Sequence, residues 1–294
     1  MNPPSFLILL KRLAIFLPFV FFGNTGFCEP ESIESKSLEP TPLMKHEAKW
    51  LVQALEQAHF NKVPIDKLEP REFISSFLER LDKQKLYFTQ KQVDKYNKSF
   101  SPTLITFFKQ GNLFPGFEIY NDYKRRSVKR LNWAISYLDT NMAFDTNQSF
   151  DTDRENANWS QTESELEEHW KKLVSFELLN ETLQQLDANS SEEKLSPDNL
   201  SEIKTNSRDK LRKRYLRWKK NILEFESSDV QELYLTTLTQ MFDPHTTFMN
   251  IKEKEKFDQQ MNNEFVGIGA VLRDEDGFCT IKELLPGGPA EGSR

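Results

Sequence analysis

Four residues near the end of the chain, Gly267-Ile268-Gly269-Ala270, have the make-up of a backbone-binding loop. Glycine has no Cβ, so two of them in a strand-like run let another group come close to the main chain. Successive N–H groups turned to one side form a hollow that holds an anion such as a carboxylate. The same spacing suits a β-bulge with no ligand, and the residues alone leave both readings open.

Other groups could do chemistry and are weighed against plainer roles. Asp243-Pro244-His245 sets an acid beside a base. Side chains in an extended Asp-Pro-His turn do not converge on one proton, and no nucleophile stands nearby, so a helix stop with Asp and Thr bonding the backbone is the favoured reading. The run Arg208 to Lys220 is strongly basic with interleaved aromatics. It could meet nucleic acid or anionic lipid, or it could be the solvated side of an amphipathic helix. Leu211, Tyr215, Trp218 and Ile222 recur at spacings of four, three and four, which favours the helix. Lys124-Arg125-Arg126 and Lys129-Arg130 read as a second solvated helix face. Glu163, Glu165, Glu167 and Glu168 fall at a helix start, where the dipole favours acids. No pair of carboxylates stands out for glycoside chemistry. The chain has no GxSxG elbow, phosphate loop or HExxH. His46, His59, His169 and His245 are scattered, and Cys28 and Cys279 lie far apart without metal-ligand spacing. No metal and no cofactor is expected.

The elements that would carry these groups are mostly helical. Leu43, Trp50, Leu51, Ala54, Leu55 and Ala58 form an apolar stripe, and Asp66 to Pro70 opens a second helix carrying Phe73, Ile74, Phe77, Leu78 and Leu81. Thr89 caps a short helix with Val93 and Tyr96. Ser101-Pro102 starts another that ends near Gly111. A longer helix covers residues 116–139, and residues 141–158 form a polar surface loop. Ser160 with Glu163 resembles a capping box before Leu166, Trp170, Leu173 and Val174. After a loop at 188–197, a charged helix runs over 198–225. Asp229 with Glu232 marks one more, which Pro244 ends. Residues 265–285 then read as a hairpin with its turn at Asp276-Gly277, and Ala290 starts a short helix. Such a hairpin is marginal alone and needs further strands or a helix over it.

Composition agrees. Hydrophobic residues make up 37% and charged residues 29%, with 24 phenylalanines pointing to an aromatic core. A net charge of -6 disfavours a general nucleic-acid binder. Residues 1–27 read as a cleaved export leader, because Leu13 to Phe22 is too short an apolar run to span a membrane. No stable membrane span is expected after cleavage. Residues 28–42, rich in Glu, Ser and Pro, read as a flexible lead-in.

Three motifs in order carry a resemblance: Phe242-Asp243-Pro244-His245-Thr246-Thr247-Phe248, Phe265-Val266-Gly267-Ile268-Gly269-Ala270-Val271-Leu272 and Gly287-Gly288-Pro289-Ala290. They resemble the entrance to the PDZ domain of tail-specific proteases, the carboxy-terminal processing peptidases, and the helical region upstream resembles that family's N-terminal domain. The fold class expected is mainly α, with residues 43–242 as the helical domain and 243–294 as a linker and a truncated PDZ domain. The resemblance implies an exported, periplasmic serine-type peptidase with a Ser/Lys dyad, either free or associated with the inner membrane. Its protein substrates would end in apolar C-terminal tails, and an adaptor protein could dock on the helical domain. Carried over by motif, Gly267, Ile268, Gly269 and Ala270 would hold the substrate carboxylate, and Asp243 to Thr247 would be a structural link. No position here matches the family's catalytic Ser or Lys, so no catalytic residue is assigned and the chain is expected to be silent alone. It would be either part of such a protease or a non-catalytic periplasmic scaffold.

Overall fold

The computed structural model describes residues 37–140, 142, 149–188, 197–262, 267–275 and 278–292. The leader, most of the lead-in, the loop stretches 143–148 and 189–196, Phe265-Val266 and the Asp276-Gly277 turn lie outside the described residues. The fold is mainly α, as expected, and its only described sheet is a two-stranded antiparallel hairpin.

Helix α1 (Pro42–Gln57) starts on a proline with Thr41 at its N-cap. The lead-in is not loose where it meets this helix. The main-chain N–H and C=O of Leu38 are both held by the Asn121 side-chain amide, each at 2.9 Å. The stripe expected on α1 is also displaced. Ala48, Val52 and Leu55 face the core, while Leu43 and Trp50 are 59% and 69% exposed.

Helix α2 (Pro70–Leu81) follows a 3-10 turn at Ile65–Lys67 and buries all five expected apolar residues. Asp82 at its end collects the next turn. It accepts the N–H groups of Leu86, Tyr87 and Phe88 at 2.7, 2.7 and 3.0 Å, which reverses the chain into α3 (Gln90–Phe100). Thr89 is the N-cap of α3. Helix α4 (Leu104–Gln110) is capped from Thr103 rather than Ser101, which instead closes α3. Gly111 ends α4 in the left-handed region, at φ 66.

Helix α5 (Phe114–Tyr137) spans two cores. Its first turns pack Phe117, Ile119 and Tyr120 among α1 to α4 and α8 (Ser227–Phe242), around Phe73, Phe77, Phe108 and Tyr234. The Tyr234 ring meets those of Phe73 and Phe77 edge-on, both at 5.1 Å. The last turns of α5 set Leu131, Ala134 and Leu138 against α6 (Glu163–Ala188) and α7 (Pro197–Glu224), with Trp170, Val174, Leu211 and Tyr215.

Two helix starts differ from expectation by a few residues. The Thr162 hydroxyl accepts the Glu165 N–H at 3.1 Å, while Glu165 takes the Gln161 N–H at 2.7 Å. Ser160 joins Thr89 through its backbone, its hydroxyl buried without a partner among the described residues, and Glu163 goes to Arg126. For α8, Asp229 accepts the Glu226 N–H at 2.8 Å and so closes the box rather than opening it. In both places a neighbouring polar residue out-competed the expected cap, because caps depend on the local entry direction of the chain.

A helix the sequence reading left out, α9 (Ile251–Asn262), follows the 243–250 link. Strands β1 (Ala270–Glu275) and β2 (Phe278–Leu284) pair antiparallel, with an irregularity between Val271 and Leu272. The short α10 (Pro289–Gly292) follows, as Ala290 suggested. No helix among the described residues is long and apolar enough to cross a membrane.

Candidate functional site

Gly267, Ile268 and Gly269 lead directly into β1, and Ala270 is its first residue. The group that approaches this loop closely is the chain itself. Gly269 has φ 73, and a Cβ there would lie 2.7 Å from the Gly288 Cα. The converse holds at Gly288, where a Cβ would meet the Gly269 Cα at 2.8 Å. Two backbone bonds clamp the segments together. The Leu285 N–H donates to the Gly269 carbonyl at 2.7 Å and the Ala290 N–H to the Ile268 carbonyl at 2.8 Å. The Ile268 and Gly269 carbonyls are thus occupied inward. The N–H groups of Gly267, Ile268 and Gly269 find no partner among the described residues. The irregularity expected of a bulge is present as well, but sits beyond the glycines at Val271/Leu272. Ile268 is 56% exposed, and β1 pairs on one edge alone among the described residues.

The Asp243 to Thr247 segment is built as a joint. The Thr246 hydroxyl donates to Asp243 Oδ2 at 3.0 Å and contacts His59 Nε2 at 3.0 Å. Its single proton is given to Asp243, so it must accept from His59, which puts the imidazole proton on Nε2. The Asn61 N–H pointing at His59 Nδ1, 3.3 Å away, fits that tautomer. Thr239 and Thr236 of α8 donate their hydroxyls to the carbonyls of Thr246 at 2.8 Å and Phe248 at 3.0 Å. His245, the residue that suggested acid–base work, is exposed and takes no part.

The basic run on α7 behaves as an amphipathic helix. Leu211, Tyr215 and Ile222 are buried and Trp218 packs beside them. Its cations pair outward, as in Lys210 with Glu181 at 2.7 Å and Arg212 with Asp139 at 2.6 Å. The basic run on α5 is only in part the solvated face expected: Arg125 and Lys129 are exposed, and the other three are not. Lys124 is largely covered, and burial lowers its pKa. The side chains of Arg126 and Arg130 are only 25% and 16% exposed. Arg126 bridges Asp122 and Glu163, both at 2.9 Å. Burial alone would raise the Asp122 carboxyl, but hydrogen bonds from Tyr96 and Arg126 and the charges of Arg126 and Arg125 hold it below the ordinary value. A run of cations in sequence gave no sign of the acids that the fold would bring to it. Among the described residues no cluster of His, Cys, Asp or Glu has the make-up of a metal site.

The model of the tail-specific protease N-terminal domain matches residues 51–252, from within α1 to the first turn of α9. The chain belongs to the tail-specific protease N-terminal domain family. A tail-specific protease of Haemophilus influenzae is 28% identical over 240 residues, which is 82% of this chain and 32% of that relative. The chain spans about a third of the length of the curated relative it matches. The family match at 51–252 therefore covers both helical cores except the first turns of α1, includes the Asp243 to Thr247 joint, and stops short of the glycine loop.

Proposed function

We propose that this chain is the substrate-capturing and docking portion of an exported, periplasmic tail-specific protease of the Ser/Lys type. Residues 267–292 begin a PDZ domain whose glycine loop takes the C-terminal carboxylate of a protein substrate with an apolar tail. The observation that carries this reading is the loop itself. Gly267, Ile268 and Gly269 present N–H groups without a described partner at the head of a strand whose second edge is unpaired among the described residues, while the Ile268 and Gly269 carbonyls are bonded inward. A carboxylate at that hollow gains charge-assisted hydrogen bonds, and the residues before it can add a strand along β1. The exposed apolar side chains of Ile268, Leu272 and Ile281 suit an apolar tail laid on this hairpin. No residue of the chain is given a catalytic role.

The helical domain would supply the adaptor-docking surface. A cleft of about 570 Å³ between α1 and the segment after α8 is bordered by the exposed Leu43, Trp50, Met249 and Ile251, which supports that role. The apolar run of residues 13–22 with Lys11-Arg12 before it supports export.

The test compares two forms of one fluorescent peptide with an apolar last residue, one ending in a free carboxylate and one in an amide. Hydrogen bonds to a charged group contribute about 1.5–3 kcal/mol, so the amide should bind at least about tenfold more weakly. Equal binding of the two forms refutes carboxylate capture.

A further inference from the structure

We propose that the helical domain carries a second ligand site, a cleft between α5 and the start of α6 that takes an organic monoanion: a carboxylate on an apolar or aromatic body. The cleft encloses about 680 Å³, within the ordinary range for small-molecule sites. Helix α5 lines it with Asp122, Arg125, Arg126, Lys129, Arg130 and Trp133, spaced so that one helix face looks into it. The first turn of α6 adds Glu163 and Glu167, and Tyr87 enters from the turn organised by Asp82.

Four cations and three acids line the cleft, leaving one positive charge uncompensated in a chain of net charge -6. The charges are not equally satisfied. Asp122 is taken by Arg125, Arg126 and the Tyr96 hydroxyl. Glu163 is taken by Arg126 at 2.9 Å, and Glu167 pairs with Lys171 at 3.3 Å. Lys129 is exposed, and Arg130, the less exposed of the two remaining cations, has among the described residues a single acid contact, 3.9 Å from Glu163, too long for a hydrogen bond. Its guanidinium carbon lies 5.5 Å from the centre of the Trp133 ring, so a cation and an apolar wall adjoin. Burial pulls the Arg130 pKa down against the charges of Glu163 and Glu167, as befits a cation short of partners.

Tyr87 is the independent sign. The residue is 6% exposed, and its hydroxyl is buried with no hydrogen-bond partner among the described residues. An orphaned buried hydroxyl costs stability and calls for a purpose. Here the residue borders the cleft that holds Arg130, with its hydroxyl tucked just behind the wall, and the two groups act on each other electrostatically. A carboxylate beside Arg130 takes the guanidinium fork with one edge, and a turn of the Tyr87 side chain toward the cleft would bring the phenol proton to the other. Trp133 provides the apolar side. Glu163 and Glu167 stand close enough to repel a second negative charge, which selects a monoanion over phosphate.

The probe is 4-phenylbutyrate, titrated into the full chain by calorimetry, with 4-phenylbutyramide and inorganic phosphate as comparisons. We expect saturable binding of one 4-phenylbutyrate per chain, at least tenfold weaker binding of the amide, and no competition from phosphate. Arg130→Gln should weaken binding at least tenfold. Tyr87→Phe removes only a hydroxyl without a partner among the described residues, so it should leave the thermal midpoint unchanged or raised and weaken binding about threefold or more. The proposal is overturned if 4-phenylbutyrate does not saturate the protein. It also falls if the amide or phosphate binds as well as the acid, or if a folded Tyr87→Phe protein binds undiminished. These outcomes do not depend on the glycine loop, which lies on another part of the chain.

Discussion

Replacing Gly269 by alanine tests the glycine loop most sharply, because two separable penalties meet there. The first is conformational: an L-residue in the left-handed region costs about 1–2 kcal/mol, and Gly269 sits at φ 73. The second is steric. The added Cβ would lie 2.7 Å from the Gly288 Cα, 3.2 Å from its carbonyl carbon and 3.3 Å from the Pro289 Cδ, where carbon contacts settle at about 3.5–4.0 Å. The first two obstacles are backbone, so relief requires the strand and the Gly287-Gly288 turn to part, at about 1–3 kcal/mol. Gly269→Ala should therefore cost about 2–5 kcal/mol, all of it within the hairpin. Gly287 provides the control. It has φ 77, but an added Cβ meets nothing within 4 Å, so Gly287→Ala carries only the conformational cost of about 1–2 kcal/mol.

A two-stranded hairpin has little stability to lose. Amide hydrogen exchange read at Leu285 and Ala290, whose N–H groups bond the Gly269 and Ile268 carbonyls, should show protection abolished in Gly269→Ala and only reduced in Gly287→Ala. Core amides such as those of Phe77 and Tyr234 should exchange as before, and capture of the free-carboxylate peptide should fall with the protection. If Gly269→Ala exchanges like Gly287→Ala, the close approach of the two glycines is not what shapes the loop.

Three further outcomes are expected. Gly116→Ala would ordinarily stabilise a helix by about 1 kcal/mol, yet its Cβ would sit 2.6 Å from the Tyr234 ring, and the overpacking penalty of about 1–3 kcal/mol should win; a urea midpoint above that of the parent would contradict this packing. Burial pushes the Asp82 carboxyl up to about 6, so its contribution to stability is complete below the unfolded value near 4 and is lost as the pH rises through about 6. Asp82→Asn should accordingly cost about 2.5 kcal/mol more at pH 4 than at pH 7.5, and an equal cost at both refutes the assignment. Trp50→Ala should change stability by less than about 0.5 kcal/mol, because the side chain is 69% exposed, and a fall in thermal midpoint typical of a core tryptophan would refute that placement.

Helix positions and the α7 seam were legible because they follow a period that local residues encode. Phe73 to Leu81 and Leu211 to Ile222 needed no knowledge of their partners. Trp50 and Leu43 misled because the same period admits neighbouring stripes, and Ala48 and Val52 won the core side of α1. The cap shifts at Thr162 and Asp229 are local too, but several polar residues competed for each start. The turn on Asp82 left one mark, an acid just past a helix end followed by an apolar triplet, which a search for side chains that collect backbone N–H groups would have found.

The α5 cleft belongs to a different class. Its Arg126 and Arg130 are drawn under cover by Asp122 on their own helix and by Glu163 about 40 residues further on, across a loop whose length says nothing of the pairing. A charged run reads as solvated when only its own helix is known. Once α6 lies over it, the covered part of the run must be neutralised residue by residue, and the covered cation with the longest acid contact becomes informative. Arg130, near the orphaned Tyr87 hydroxyl, is that residue here. The glycine loop follows the same logic from the backbone side: the Ile268 and Gly269 carbonyls are consumed by Ala290 and Leu285, which leaves the N–H groups of these residues as the ones to meet a ligand.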